Sequence, residues 1–80
     1  MIYRTKGTCS QAISVEVENN IITSVEFLGG CNGNTKGIAA LVKGMDVHEA
    51  IQRLQGIKCG PRKTSCPDQL SIALRQCIGE

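Results

Sequence analysis

Ile13-Ser14-Val15-Glu16-Val17-Glu18-Asn19-Asn20-Ile21-Ile22-Thr23-Ser24-Val25-Glu26-Phe27-Leu28 is the stretch that decides the fold of this chain. Ile13, Val15 and Val17 alternate with Ser14, Glu16 and Glu18, the period of two that marks a half-buried strand. Asn19-Asn20 follows, and asparagine tolerates the positive φ of a tight hairpin turn. Residues 21–28 are rich in β-branched and aromatic side chains and read as the returning strand. Residues 2–5 are expected to add a shorter strand, giving an antiparallel meander of two or three strands.

Downstream the period changes. Gly29-Gly30-Cys31-Asn32-Gly33-Asn34 reads as a turn into a helix on which Ile38, Leu41, Val42 and Met45 form the apolar face, with Gly44 ending or kinking it. Asp46 is expected to cap a second helix with Glu49 as its capping-box partner. Val47, Ala50, Ile51 and Leu54 supply that helix with an apolar face, and Gly56 stops it. Residues 57–65, with Gly60 and Pro61, lack periodicity and read as a loop. Ser65 or Cys66 caps a third helix, with Pro67 and Asp68 in its first turn. Leu70, Ala73, Leu74, Cys77 and Ile78 form its buried stripe. The expected fold is one α+β domain over residues 1–80, a strand meander followed by three helices packed on one face.

Composition narrows the function. The 80 residues hold nine Lys and Arg against seven Asp and Glu, a net charge of +2, with one Tyr, one Phe and no Trp. Nucleic-acid binders need a basic face, and single-strand binders add aromatic stacking platforms, so no nucleic-acid partner is expected. No apolar run reaches the roughly 20 residues of a spanning helix and the N-terminus does not open a signal peptide, so no membrane partner is expected and a cytoplasmic location is. The glycine turn matches neither dinucleotide nor P-loop spacing. His48, Arg75 and Gln76 read as solvated helix positions. A core of Ile, Leu, Val and Ala in a chain this short gains from outside support, by metal or by partner.

The cysteines carry the chemistry. Cys9, Cys31, Cys59, Cys66 and Cys77 are separated by 21, 27, 6 and 10 residues, so any shared site must be assembled by the fold. Their odd number and the absent export signal argue against a disulfide framework and for metal ligation or redox work. Cys77 lies in line with the third helix's apolar stripe and reads as core. Cys31 and Cys66 fall at loop-to-helix junctions, where unsatisfied N–H groups favour thiolate; Lys58, Arg62 and Lys63, flanking Cys59 and Cys66, act in the same direction. A hairpin turning at Asn19-Asn20 brings residue 9 opposite residue 30, beside Cys31. The sulfurs of Cys9, Cys31 and Cys66 are therefore expected to converge at one end of the sheet, with Cys59 reaching them from its loop and Cys77 apart.

Thr64-Ser65-Cys66-Pro67-Asp68, followed by Gln69-Leu70, resembles the signature of the TSCPD-domain family. The resemblance includes the glycine turn at 29–34, Leu41-Val42-Lys43-Gly44 and Cys59-Gly60. It implies kinship with small stand-alone bacterial proteins and with the C-terminal domain of cobalamin-dependent ribonucleotide reductases. The order of features is also similar, more distantly, to the U-type iron–sulfur cluster scaffold proteins, through Cys9, Cys31, Lys43-Gly44-Met45-Asp46-Val47-His48-Glu49-Ala50 and Cys66. That family uses three cysteines for zinc or a transient cluster; here Gln11 stands in place of its aspartate, and Cys59 is additional.

The leading expectation is thus a metal-binding module with Cys9, Cys31, Cys59 and Cys66 as thiolate ligands to zinc or an iron–sulfur cluster. The alternative is a reductase-related accessory domain in which Cys59 and Cys66 form a redox pair. A third reading is a metal-free interaction module. The expected partner is a protein, a reductase or the iron–sulfur machinery, with the chain itself a monomer or homodimer and not an enzyme alone.

Overall fold

The computed structural model describes residues 1–7, 10–29, 32–58, 60–61 and 63–80. Three strands, β1 (Ile2–Arg4), β2 (Ser10–Glu18) and β3 (Ile21–Gly29), precede three helices, α1 (Asn32–Val42), α2 (Val47–Leu54) and α3 (Cys66–Cys77). The sheet is antiparallel in the order β1-β2-β3. This is the expected α+β arrangement, with the short N-terminal strand present.

Glu18 pairs with Ile21 around Asn19-Asn20, and both asparagines adopt positive φ, 52° and 64°. At the other end Ser10 pairs with Gly29. Between them the ladder is interrupted twice, with Gln11 extra on β2 and Thr23 extra on β3. The two bulges cancel, so the simple register survives at both ends. The first has a local effect: it breaks the alternation at Gln11 and leaves both Ser10 and Ile13 buried.

Ile13, Val15 and Ile22 form the sheet's share of the core, against Val42 of α1, Val47, Ala50 and Ile51 of α2, and Leu70, Ala73 and Leu74 of α3. Helix α3 packs on β2 and α2, and α1 packs on β3. The segment between α1 and α2 lies against the start of β3. Ile22 N–H donates to the Met45 carbonyl at 3.0 Å, Gly44 N–H to the Ile22 carbonyl at 2.8 Å, and Val47 N–H to the Asn20 carbonyl at 2.8 Å.

Expectations for two helices are corrected. Helix α1 begins at Asn32, so Gly33 and Asn34 are helical rather than part of the turn. Packing on β3 outweighs the low propensity of its two glycines. Its inward stripe is Thr35, Ile38, Ala39 and Val42, which rotates Leu41 outward to 77% exposure. Asp46 caps α2 by accepting from His48 N–H and Glu49 N–H, at 3.0 and 3.1 Å, but the Glu49 carboxylate turns to Arg53 at 2.8 Å. His48 is on the surface, 3.1 Å from a Glu80 carboxylate oxygen. Arg75 and Gln76 are exposed, and Cys77 packs half-buried against the core. No helix among the described residues is long and apolar enough to cross a membrane.

Candidate functional site

The first turn of α3 is tied to three distant parts of the chain. Ser65 is the N-cap; its hydroxyl accepts from Asp68 N–H at 3.2 Å and donates to the Ile57 carbonyl at 2.6 Å. The Asp68 carboxylate accepts from Gly56 N–H at 2.7 Å, fixing the exit of α2, and from the Thr64 hydroxyl. Its charge also complements the helix N-terminus. Gln69 is 4% exposed. Its Oε1 accepts from the Tyr3 hydroxyl and from Lys6 N–H, both at 3.0 Å, and its Nε2 donates to Thr64 Oγ1 at 3.1 Å. Among the described residues no buried side-chain polar atom lacks a partner.

Tyr3 is half-buried under this network. Burial, and after it the Asp68 carboxylate, push its phenol above the ordinary value of 10.0.

Cys66 occupies the first position of α3 and is partly buried. Its Sγ lies 3.3 Å from Ser10 Oγ. The contact depends on the Gln11 bulge, which lets Ser10 as well as Ile13 face inward, and on the Gln69 clamp, which holds α3 against β1 and the loop after it. Gly29, opposite Ser10, has φ +81°, and a Cβ there would come 3.2 Å from Gln11 Cγ, so glycine fits this end of the hairpin on both counts. Gly7 is similarly constrained, with φ +75° and a Cβ position 3.0 Å from Thr64 Cγ2.

Of the four expected ligands Cys66 alone is described; Cys9, Cys31 and Cys59 lie outside the described residues. So does the expected convergence of their sulfurs. What is described is the frame: Ser10, which follows Cys9, faces both Gly29, two residues before Cys31, and Cys66. Among the described residues no three of His, Cys, Asp and Glu form a group able to hold a metal. Cys77 is at the opposite end of α3, eleven residues and about 16 Å along the axis from Cys66, apart from the junction as expected. A separate groove of about 270 Å³ opens between β3 and α1, lined by Val25, Glu26, Phe27, Thr35, Lys36 and Ala39.

Pattern and propensity did not reveal Ser10, Gln69 or Tyr3 as parts of this junction. The bonds that bring them together span 56 to 66 residues, beyond any local signal.

The family model of the TSCPD domain matches residues 1–78. No curated protein and no solved structure is a match for the chain. The chain belongs to the TSCPD-domain family.

Proposed function

We propose that this TSCPD-domain protein binds a metal, zinc or an iron–sulfur cluster, through Cys9, Cys31, Cys59 and Cys66. The observation that supports the reading is the Ser10 junction: Ser10 pairs with Gly29 and its hydroxyl touches the Cys66 sulfur. Chain connectivity leaves Cys9 one residue and Cys31 two residues from those positions. The donor set suits the group, since soft thiolates select zinc and iron–sulfur clusters over hard cations. The N-terminus of α3 favours an anionic sulfur at Cys66. A bound zinc would act as a structural cross-link between the start of β2, the end of β3 and α3. The chain's own residues supply the rest: Ser65 and Asp68 fix the helix start, and Gln69 fixes its distance from the sheet.

Metal analysis after anaerobic purification without chelator tests this. One equivalent of zinc, or a thiolate-to-iron absorption band with matching iron, is expected, together with loss of that metal in Cys66→Ser. Trace metal, and a melting temperature that a chelator leaves unchanged, would overturn it.

Family membership favours a second reading, a reductase-related accessory role for the chain. Cys59 and Cys66 would then be oxidised from two thiols to a disulfide, passing two electrons and two protons to a disulfide on a partner reductase. Titration against a defined dithiol buffer separates the two. Metal-bound thiolates stay protected until chelation, whereas a redox pair cycles at a measurable potential. If neither holds, the chain is an interaction module, and serine at Cys31 and Cys66 leaves its melting temperature unchanged.

A further inference from the structure

The helices and core occupy the sheet face that carries Ile13 and Val15. On the other face, register and alternation set Arg4, Ala12 and Leu28 in one cross-strand row and Ile2, Ser14 and Glu26 in the next. Ile2 is 67% and Leu28 39% exposed, and Arg4 and Glu26 are exposed too. Between these corners stand the small side chains of Ala12 and Ser14. The apolar corners thus share one diagonal of the array and the opposite charges share the other. Among the described residues neither Arg4 nor Glu26 has an ion-pair partner, while Glu16, next along this face, is held by the Met1 ammonium at 3.0 Å.

We propose that this face pairs with the same face of a second copy of the chain. A two-fold axis along the strands would set Arg4 over Leu28 and Ile2 over Glu26. An axis across the strands would set Arg4 over Ile2 and Leu28 over Glu26. Each of these buries charge against aliphatic surface. An axis along the Ile2–Leu28 diagonal instead stacks Ile2 on Ile2 of the second copy and Leu28 on Leu28. It also brings each Arg4 to Glu26 of the second copy, the reciprocal contacts that an isologous interface requires. With strands about 4.8 Å apart and same-face residues about 6.8 Å apart along a strand, that diagonal runs about 55° from the strands. The strands of the two sheets then cross at about 70°, in the orthogonal class of sheet packing. Because Arg4 and Glu26 lie outside the apolar diagonal, they set the register of the pair.

Sedimentation equilibrium of the full chain under reductant, which removes any disulfide-linked species, tests the proposal. A monomer–dimer equilibrium is expected. Arg4→Glu and Glu26→Arg should each weaken it about tenfold or more, and combining them should restore it. Leu28→Asp should also favour monomer, with the helical circular dichroism of all variants unchanged. A chain that stays monomeric up to millimolar concentration overturns the proposal and leaves the face to a different partner. A dimer indifferent to either charge reversal, or one that the double reversal does not restore, overturns it as well.

Discussion

Gln69 is a neutral amide almost sealed from solvent, and three parts of the chain depend on it. Leucine in its place would keep roughly the volume and strand the Tyr3 hydroxyl and the Lys6 N–H, while the Thr64 hydroxyl would still donate to Asp68. Leaving half-buried groups without partners costs more than the net value of the bonds themselves. Gln69→Leu should therefore lower unfolding free energy by about 2–3 kcal/mol in urea titration, and Tyr3→Phe by only about 1 kcal/mol. The phenol adds a pH dependence. Its folded-state pKa is raised, chiefly by burial and then by Asp68, so the fold prefers the neutral phenol. That contribution is fully present below the ordinary tyrosine value of 10.0 and is lost as pH rises through the folded value. Stability should thus fall more steeply above pH 10 in the parent chain than in Tyr3→Phe. Parallel curves for the two would contradict the assignment.

At the scale of elements, α1 separates what patterning can read from what only packing decides. Ile38, Leu41 and Val42 are all apolar and all compatible with helical spacing, yet the stripe runs through Thr35, Ile38, Ala39 and Val42. The sequence signal is ambiguous because Thr35 and Ala39 look neutral while Leu41 looks like core. Helix α1 rests on β3, and the half-buried Val25 and Phe27 of that strand set which side is covered. Val42→Ala should cost about 2 kcal/mol, whereas Leu41→Ser should stay within about 0.5 kcal/mol of the parent chain. Equal losses in thermal melts would mean that the stripe is misplaced. The hairpin and the caps of α2 and α3 were legible because each is local: two asparagines at positive φ, Asp46 before Val47, Ser65 before Cys66. The paired bulges were not, since they leave the end-to-end register unchanged and show only in the burial of Ser10.

For the whole molecule, the two ends of the hairpin are secured by different means. At the turn end, backbone bonds from residues 44–47 lock Asn20 and Ile22, and the core side chains Ile22 and Val47 are fully buried there. At the open end, Ser10 and Gly29 meet α3 through the Cys66 contact, and the described side chains of Ser10, Ser65 and Gln69 buried around it are polar. Cys9 precedes and Cys31 follows that open end in sequence, whereas the Gln69 clamp joins residues 63 and 66 positions apart and leaves no local signal. If thiolates near Ser10 hold a metal, the ion secures that end of the hairpin only. Chelation should then raise amide hydrogen exchange at Ser10, Leu28 and the first turn of α3. The amides of Ile22 and Val47, closed by the backbone bonds at the turn end, should keep their protection until global unfolding. Cys66→Ser should reproduce the pattern without chelator, and Cys77→Ser, at the far end of the same helix, should not. Uniform acceleration of every amide on chelation would mean that the metal supports the entire core, and no change at Ser10 would remove the metal from this junction.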